Sequence, residues 1–216
     1  MPEASDAKPD ETTVEALQAA LERERLRTRE VDHRAKNSLQ LVSSLLLLLG
    51  RRSSAPDTQR ALKAMHQRVS AIAAVHREIL GSADADRFNL TEFIREHVSA
   101  LARAHGREAV VHLELDPVEV AAGQASPIAL LVNELALNAL DHGAAAGRPP
   151  EATIRLRTDG AGFALTVADK GAGLPPGASE GGGFGLFMVR LLAQQLGAKV
   201  AWEDAQPGLA AVVTVP

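Results

Sequence analysis

The sequence predicts an α + α/β chain, a two-helix hairpin followed by a mixed α/β domain. Three observations carry that expectation. Apolar residues recur at helical spacing across residues 14–80 with one interruption. A polar stretch at 81–88 then separates the two halves. Beyond it, short alternating runs bounded by glycine are interleaved with further helical segments. The expected organisation is a tail at 1–13, a helical hairpin at 14–80, a linker at 81–88 and a second domain at 89–216.

Residues 1–13 are rich in Pro, Asp, Glu, Ala and Thr, a composition that cannot bury enough apolar surface to order itself. The first helix is expected at 14–49. Through Arg29 it is dense in Glu and Arg and reads as a solvated helix. Its second part carries Ala35, Leu39, Val42, Leu45, Leu46 and Leu49 at helical spacing. The stretch 50–56, from a glycine to a proline, reads as the break, with Asp57 as the next N-cap. In the second helix, 57–80, Leu62, Met65, Val69, Ile72, His76 and Ile79 alternate in steps of three and four, a seam of the coiled-coil type. One hairpin cannot cover its own apolar stripe, so a homodimeric four-helix bundle through residues 31–80 is expected.

The second half predicts a helix at 91–104, with Asn89 or Thr91 at its start, and a strand at 110–115. Ser126 and Pro127 read as an N-cap and first helical position opening a helix to about 142. Strands at 152–158 and 163–169 pair through the turn 159–162. A glycine-rich loop leads into a helix at 186–196, and a last hairpin spans 199–203 and 210–215.

Composition narrows the function. Of 216 residues, 23% are charged and the net charge is −4, so there is no basic excess to draw nucleic acid. With no cysteine, disulfides, thiolate metal sites and a cysteine nucleophile are excluded. Aromatics make up only 3%, too few for base-stacking platforms. The greasiest stretch, 39–49, is about half of the ~20 residues that cross a bilayer, and the N-terminus has no signal-peptide pattern. A cytoplasmic protein is the expectation, with no membrane contact.

Four motifs carry chemistry. In the first, His33 and Asn37 lie four apart and share a helix face. Neutral imidazole is a nitrogen nucleophile, and a nearby carboxylate, Asp32 first and Glu30 second, can fix its tautomer or take its proton. The second places Glu134, Asn138 and Asp141 or His142 on one face, and amide and carboxylate oxygens suit Mg²⁺. The third, Asp169 to Gly173, sets a carboxylate at a strand end before two glycines, so that backbone can approach a bound base closely. The fourth is the glycine run from Gly181 through Gly185 opening into a helix at Leu186, where backbone amides and the helix dipole attract phosphate. No Lys-Ser or Lys-Thr pair follows, which separates it from a Walker loop.

The order of the last three motifs resembles the N, G1 and G2 boxes of the GHKL ATPases, and the upstream His-Arg-x-x-Asn, with the later stretch from Arg68 to His76, resembles sensor histidine kinases of the HRxxN type, related to the HWE kinases. The resemblance covers about residues 26–216. It implies a GHKL α/β sandwich that binds ATP and Mg²⁺, and a phosphoacceptor at His33. It implies Mg²⁺ at Asn138 with Glu134 beside it, and adenine at Asp169. Gly171 and Gly173 would shape the pocket, and Gly183, Gly185 and Leu186 would meet the phosphates. Asn37 corresponds to a position that orients a water for dephosphorylating the partner. The implied partner is the receiver domain of a response regulator. Asp141 departs from the pattern, standing where such kinases carry Lys, and the short lid holds no Lys or Arg. Phosphate neutralisation would then fall to Mg²⁺, helix amides, Lys170 or a residue of the other domain. Two other functions are compatible with the motifs: a histidine phosphotransferase relay with a degenerate ATPase domain, and a GHKL-type switch that sequesters a protein.

Overall fold

The computed structural model describes residues 11–81, 84, 86–106, 108–144, 148–160, 162–173 and 183–216. Within the first helix, side chains are described at 19, 20, 23, 30 and from 34 onward.

Helices α1 (Glu11–Arg52) and α2 (Pro56–Gly81) form the hairpin. They are held near mid-length by Ser43 Oγ, 2.8 Å from His66 Nδ1 and 3.3 Å from Ser70 Oγ. Two expectations shift here. Residues 11–13, read as part of the tail, are already helical, while the rest of that tail lies outside the described residues. Gly50 does not stop α1. It faces Leu62, where an added Cβ would be in ordinary contact at 3.7 Å, and the helix closes only when the Ser53 amide donates to the Leu49 carbonyl. The apolar stripe of α1 stays open in the single chain, with Val42, Leu45 and Leu49 44–54% exposed.

The second half is built on a five-stranded sheet. Its strands are β2 (Val110–Leu115), β4 (Glu151–Asp159), β5 (Gly162–Asp169), β6 (Lys199–Asp204) and β7 (Leu209–Val215), in the order β2-β4-β5-β7-β6. Only β2 and β4 run parallel, with Val110 opposite Glu151, and every other pairing is antiparallel. Ala152, Ile154, Leu156, Phe163, Leu165, Val167, Val213 and Val215 are buried, alternating along each strand with more exposed residues. That period-two pattern turns one face of the sheet to the helices. Those are α3 (Leu90–His105), α4 (Ala122–His142) and α5 (Phe184–Gln195). A two-stranded ribbon of β1 (Arg87–Asn89) and β3 (Glu119–Ala121), too short to show periodicity in the sequence, ties the entry of α3 to that of α4.

Asn89 caps α3 by accepting from the Glu92 amide at 3.0 Å. The Thr91 hydroxyl is used differently, donating to Asp116 O at 2.8 Å and accepting from the Val118 amide at 2.9 Å. The expected start of α4 needs correction. The helix begins at Ala122, a full turn before Ser126, with Pro127 inside it. Pro127 cannot bond to the carbonyl four residues back, and its ring is buried with Ala125 and Ile128, packing that offsets the loss. The hairpin is not detached from this domain. Ala71, Ala73 and Val75 of α2 are buried, and Val75 belongs to the same core as Phe88, Phe93, Leu131 and Leu135.

Candidate nucleotide site

A cavity of about 510 Å³ opens between the C-terminal half of α4, the end of β5, the start of α5 and the β6–β7 hairpin. Its walls are mostly apolar: Leu135, Ala139, Val167, Leu186, Trp202, Leu209 and Ala211. One buried carboxylate stands among them. Asp169, the last residue of β5, is 9% exposed, and its Oδ1 accepts from the Gly171 amide at 2.8 Å and the Leu209 amide at 3.4 Å. Backbone closes tightly around it. A Cβ on Gly208, which has φ +103°, would stand 2.0 Å from the Asp169 carbonyl oxygen. An apolar slot ending in a fixed acceptor suits a flat heterocycle with an exocyclic amine.

The other end of the cavity is polar, lined by Asn138 and His142 of α4, with a buried polar network of the same helix behind it. Asn133 is fully buried, with Oδ1 3.0 Å from His97 Nε2 and Nδ2 donating to Glu134 Oε1 at 3.2 Å. Burial holds the His97 imidazole below its ordinary pKa, outweighing the Asn133 hydrogen bond, and the positive charge of Arg77 pushes the same way. A neutral His97 therefore donates from Nε2 to Asn133 Oδ1.

Glu134, 3% exposed, forms a bidentate ion pair with Arg68 of α2, with Nε to Oε1 at 2.9 Å and Nη2 to Oε2 at 2.6 Å. The Arg68 guanidinium lies 4.8 Å from the centroid of the Phe184 ring at the start of α5. Removing one partner of so buried a pair costs about 3–5 kcal/mol unless water reaches the charge left behind.

One turn on from Glu134, Asn138 faces the glycine loop. A Cβ on Gly185 would lie 3.2 Å from Asn138 Oδ1 and 3.5 Å from Glu134 Oε2, and Asn138 Nδ2 is buried without a hydrogen-bond partner. The unpartnered Nδ2 is a donor and suits a phosphate oxygen, while Asn138 Oδ1 beside the Glu134 carboxylate, under backbone with no side chain, suits a hard cation that keeps its waters. Among the described residues no group of three or more His, Cys, Asp or Glu could hold a metal, so most ligands of such a cation would be water and phosphate, with Asn138 and Glu134 nearest.

The cavity thus gathers Asn138, Asp169, Gly173, Gly183, Gly185 and Leu186, with Glu134 and Gly171 just behind its walls. Other candidate residues lie away from the cavity or outside the described residues. Asp141 does not line it. That side chain is 60% exposed, with Oδ1 3.6 Å from His105 Nδ1, because the last turn of α4 rotates it away while His142 faces in. Lys170 is tied to Glu151 at 2.6 Å, a bond that holds the Glu151 carboxyl below its usual range. Glu30, a candidate base, accepts from Arg34 at 2.6 Å. His33 and Asp32 sit on the α1 backbone with Asn37 exposed one turn on from His33, while the side chains of His33 and Asp32 lie outside the described residues. Most of the lid, 174–182, also falls outside them. Sequence reasoning missed the cavity roles of Trp202, Leu209, Ala211 and Gly208, which a sheet-edge hairpin brings in from the far end of the chain.

A histidine kinase family profile matches residues 30–105, and a profile of the histidine kinase-, DNA gyrase B- and HSP90-like ATPases matches 123–216. The chain is 32% identical over 94% of its length to a blue-light-activated histidine kinase of Rhizobium johnstonii, covering 56% of that protein. It is 31% identical over 96% of its length to the sensor histidine kinase PdtaS of Mycobacterium tuberculosis, covering 42% of it. The chain therefore spans about half the length of these curated relatives. Among solved structures, the Erythrobacter litoralis EL346 blue-light activated histidine kinase superposes with a TM-score of 0.67 at 25% identity, over 85% of this chain and 59% of that one. With both profiles matched in order and the relatives aligned along nearly its whole length, the chain belongs to the sensor histidine kinases that join a histidine-bearing helical hairpin to a GHKL ATPase domain.

Proposed function

We propose that the chain binds ATP with Mg²⁺ in the cavity below α4, phosphorylates His33, and passes the phosphoryl group to an aspartate of a response regulator receiver domain. The observation that carries this is the pairing of one buried carboxylate, Asp169, at the apolar end of the cavity with an unsatisfied amide, Asn138, at the polar end beneath Gly185. Adenine fits the first end, with its amino group donating to Asp169. Phosphates fit the second, where α5 opens at Gly183 and presents backbone amides. Asn138, with Glu134 beside it, would hold Mg²⁺, which supplies neutralisation of the phosphate charge.

The rest is positioning. Phosphoryl transfer needs an in-line nucleophile and little covalent help from the protein. A ring nitrogen of neutral His33 attacks the γ-phosphorus, the bond to the β-phosphate oxygen breaks, and ADP departs. Asp32 is assigned the tautomer or the ring proton. The phosphoramidate is labile, so it serves as a carrier. Asn37 is assigned to orient water when the phosphorylated receiver is hydrolysed. Homodimerisation through 31–80 would cover Val42, Leu45 and Leu49. Among the described residues no helix is long and apolar enough to cross a membrane.

The test is incubation with Mg²⁺ and γ-labelled ATP beside His33→Ala and Asn138→Ala. Acid-labile, alkali-stable label on the parent, absent from both variants, is expected. An unlabelled parent that accepts phosphate at His33 from a phosphorylated receiver would make the chain a phosphotransferase instead.

A further inference from the structure

We infer that Arg68 is a positioning residue, a latch that docks the ATP-binding domain on α2 at a level where it cannot reach His33, so that transfer requires the Arg68–Glu134 pair to break. This rests on the functional reading above, because it takes the polar end of α4 as the phosphate end.

The axial offset follows from helix geometry. Ser43 of α1 contacts both His66 and Ser70 of α2, so Ser43 is level with Arg68. His33 precedes Ser43 by ten positions on the same unbroken helix, which at 1.5 Å per residue is roughly 15 Å along the hairpin. Glu134 adjoins Asn138 under Gly185, so Arg68 pins the phosphate end itself to its own level. In-line attack needs the reacting atoms about 3–3.5 Å apart. The docked arrangement therefore holds nucleotide away from the acceptor.

The chemistry of the pair suits a latch better than a permanent joint. Both Glu134 oxygens are engaged by one planar guanidinium, and Oε1 also accepts from Asn133. Phe184, which packs against the same guanidinium, is itself 59% exposed. On undocking, both charges regain water, so the pair can open without stranding a buried ion. A cation arriving at Asn138 would add positive charge beside Arg68 and compete with it for Glu134.

A rival role for Arg68 is direct neutralisation of the γ-phosphate, and the two roles predict opposite signs. The chain has no cysteine, so a double variant, Ala61→Cys on α2 and Lys199→Cys on β6, both exposed sites, accepts two spin labels per protomer and no others, and mixing with excess unlabelled cysteine-free protein leaves one labelled protomer in most dimers. Nucleotide-free parent should give one narrow distance distribution. Arg68→Ala should broaden it and shift it, Arg68→Lys should give an intermediate result, and Phe184→Ala should weaken docking without removing a charge. With saturating Mg·ATP, the initial rate of His33 labelling should rise in Arg68→Ala by roughly tenfold, since a few per cent of undocked molecules in the parent becomes a majority. An unchanged distance distribution in folded Arg68→Ala, or a labelling rate that falls while KM rises, would overturn the latch. Parent protein that binds no nucleotide and takes no label would defeat the kinase reading. The nucleotide-free distances would still decide the docking.

Discussion

Gly171 and His142 touch through backbone: a Cβ on Gly171 would stand 1.9 Å from the His142 carbonyl oxygen at the end of α4. That contact joins the loop after β5 to the helix carrying Glu134 and Asn138, and it fixes the amide that Gly171 donates to Asp169. Gly171→Ala must therefore push the loop off the helix. We expect it to lower ATP affinity by roughly tenfold or more, about 1.4 kcal/mol, with the hairpin unaffected. Titration with a fluorescent nucleotide, beside far-ultraviolet circular dichroism, measures both.

Gly208 supports Asp169 from the opposite side, and its φ of +103° is closed to other residues at low cost. Gly208→Ala should weaken ATP binding in the same assay as strongly as Gly171→Ala, although it lies in a hairpin that carries no motif.

Asp169→Asn keeps the shape but replaces one acceptor oxygen with a donor. A hydrogen bond to a charged group contributes about 1.5–3 kcal/mol, so ATP affinity should fall roughly 10- to 100-fold. Competition by GTP, whose base presents a carbonyl where adenine has its amine, should fall less, and competition titration compares the two.

Glu78, near the end of α2, has its carboxyl pushed up to about 7 from 4.5, first by burial, then by the charges of Glu96 and, less, Glu92 of α3, against a bond from the Asn89 backbone that lowers it. The folded state holds this proton more tightly than the unfolded chain. Its stabilising contribution is therefore full below about pH 4.5 and is lost as the pH rises through 7. His97 acts in the opposite sense, its contribution present above the ordinary imidazole value of 6.5 and lost as the pH falls below it. Glu78→Gln should leave Tm near the parent at pH 5 and raise it by about 2–4 °C at pH 8, a modest gain because the carboxyl is partly solvated. Thermal melts at the two pH values test it.

Asn133→Ala would leave the His97 Nε2–H without its partner, while Glu134 Oε1 would keep only its bond from Arg68. An unsatisfied buried group costs about 1–3 kcal/mol, so a fall in Tm of several degrees is expected in a calorimetric scan.

What could be read from the sequence follows the range of the forces involved. The two hairpin helices, β2, and the β4–β5 pair carry their own periodicity, so spacing alone locates them. The start of α4 does not, because Ser126 and Pro127 mimic a helix entry while burial of Ala125 and Pro127 extends the helix back a turn. Glu134, Asn138 and Asp169 announce themselves by residue type and order. Arg68 stands in the stretch 68–76 that shares the family resemblance, but its pairing with Glu134 is not legible, since that partner lies 66 positions away. Trp202 and Leu209 reach the cavity only because β7 pairs beside β5 and carries the edge strand β6 with it.

The parallel pairing of β2 with β4 also has a kinetic side. Parallel strands require a crossover, and here α4 lies within it, between Val110 and its partner Glu151 about forty positions later. The helix that carries Glu134 and Asn138 thus gains its sheet support only after a long loop has closed, a step whose entropy makes it late in folding. Amides of α4 and of the β2–β4 ladder should then lose hydrogen-exchange protection together, as one cooperative unit. A chain stalled before that closure would display a formed hairpin and no nucleotide site.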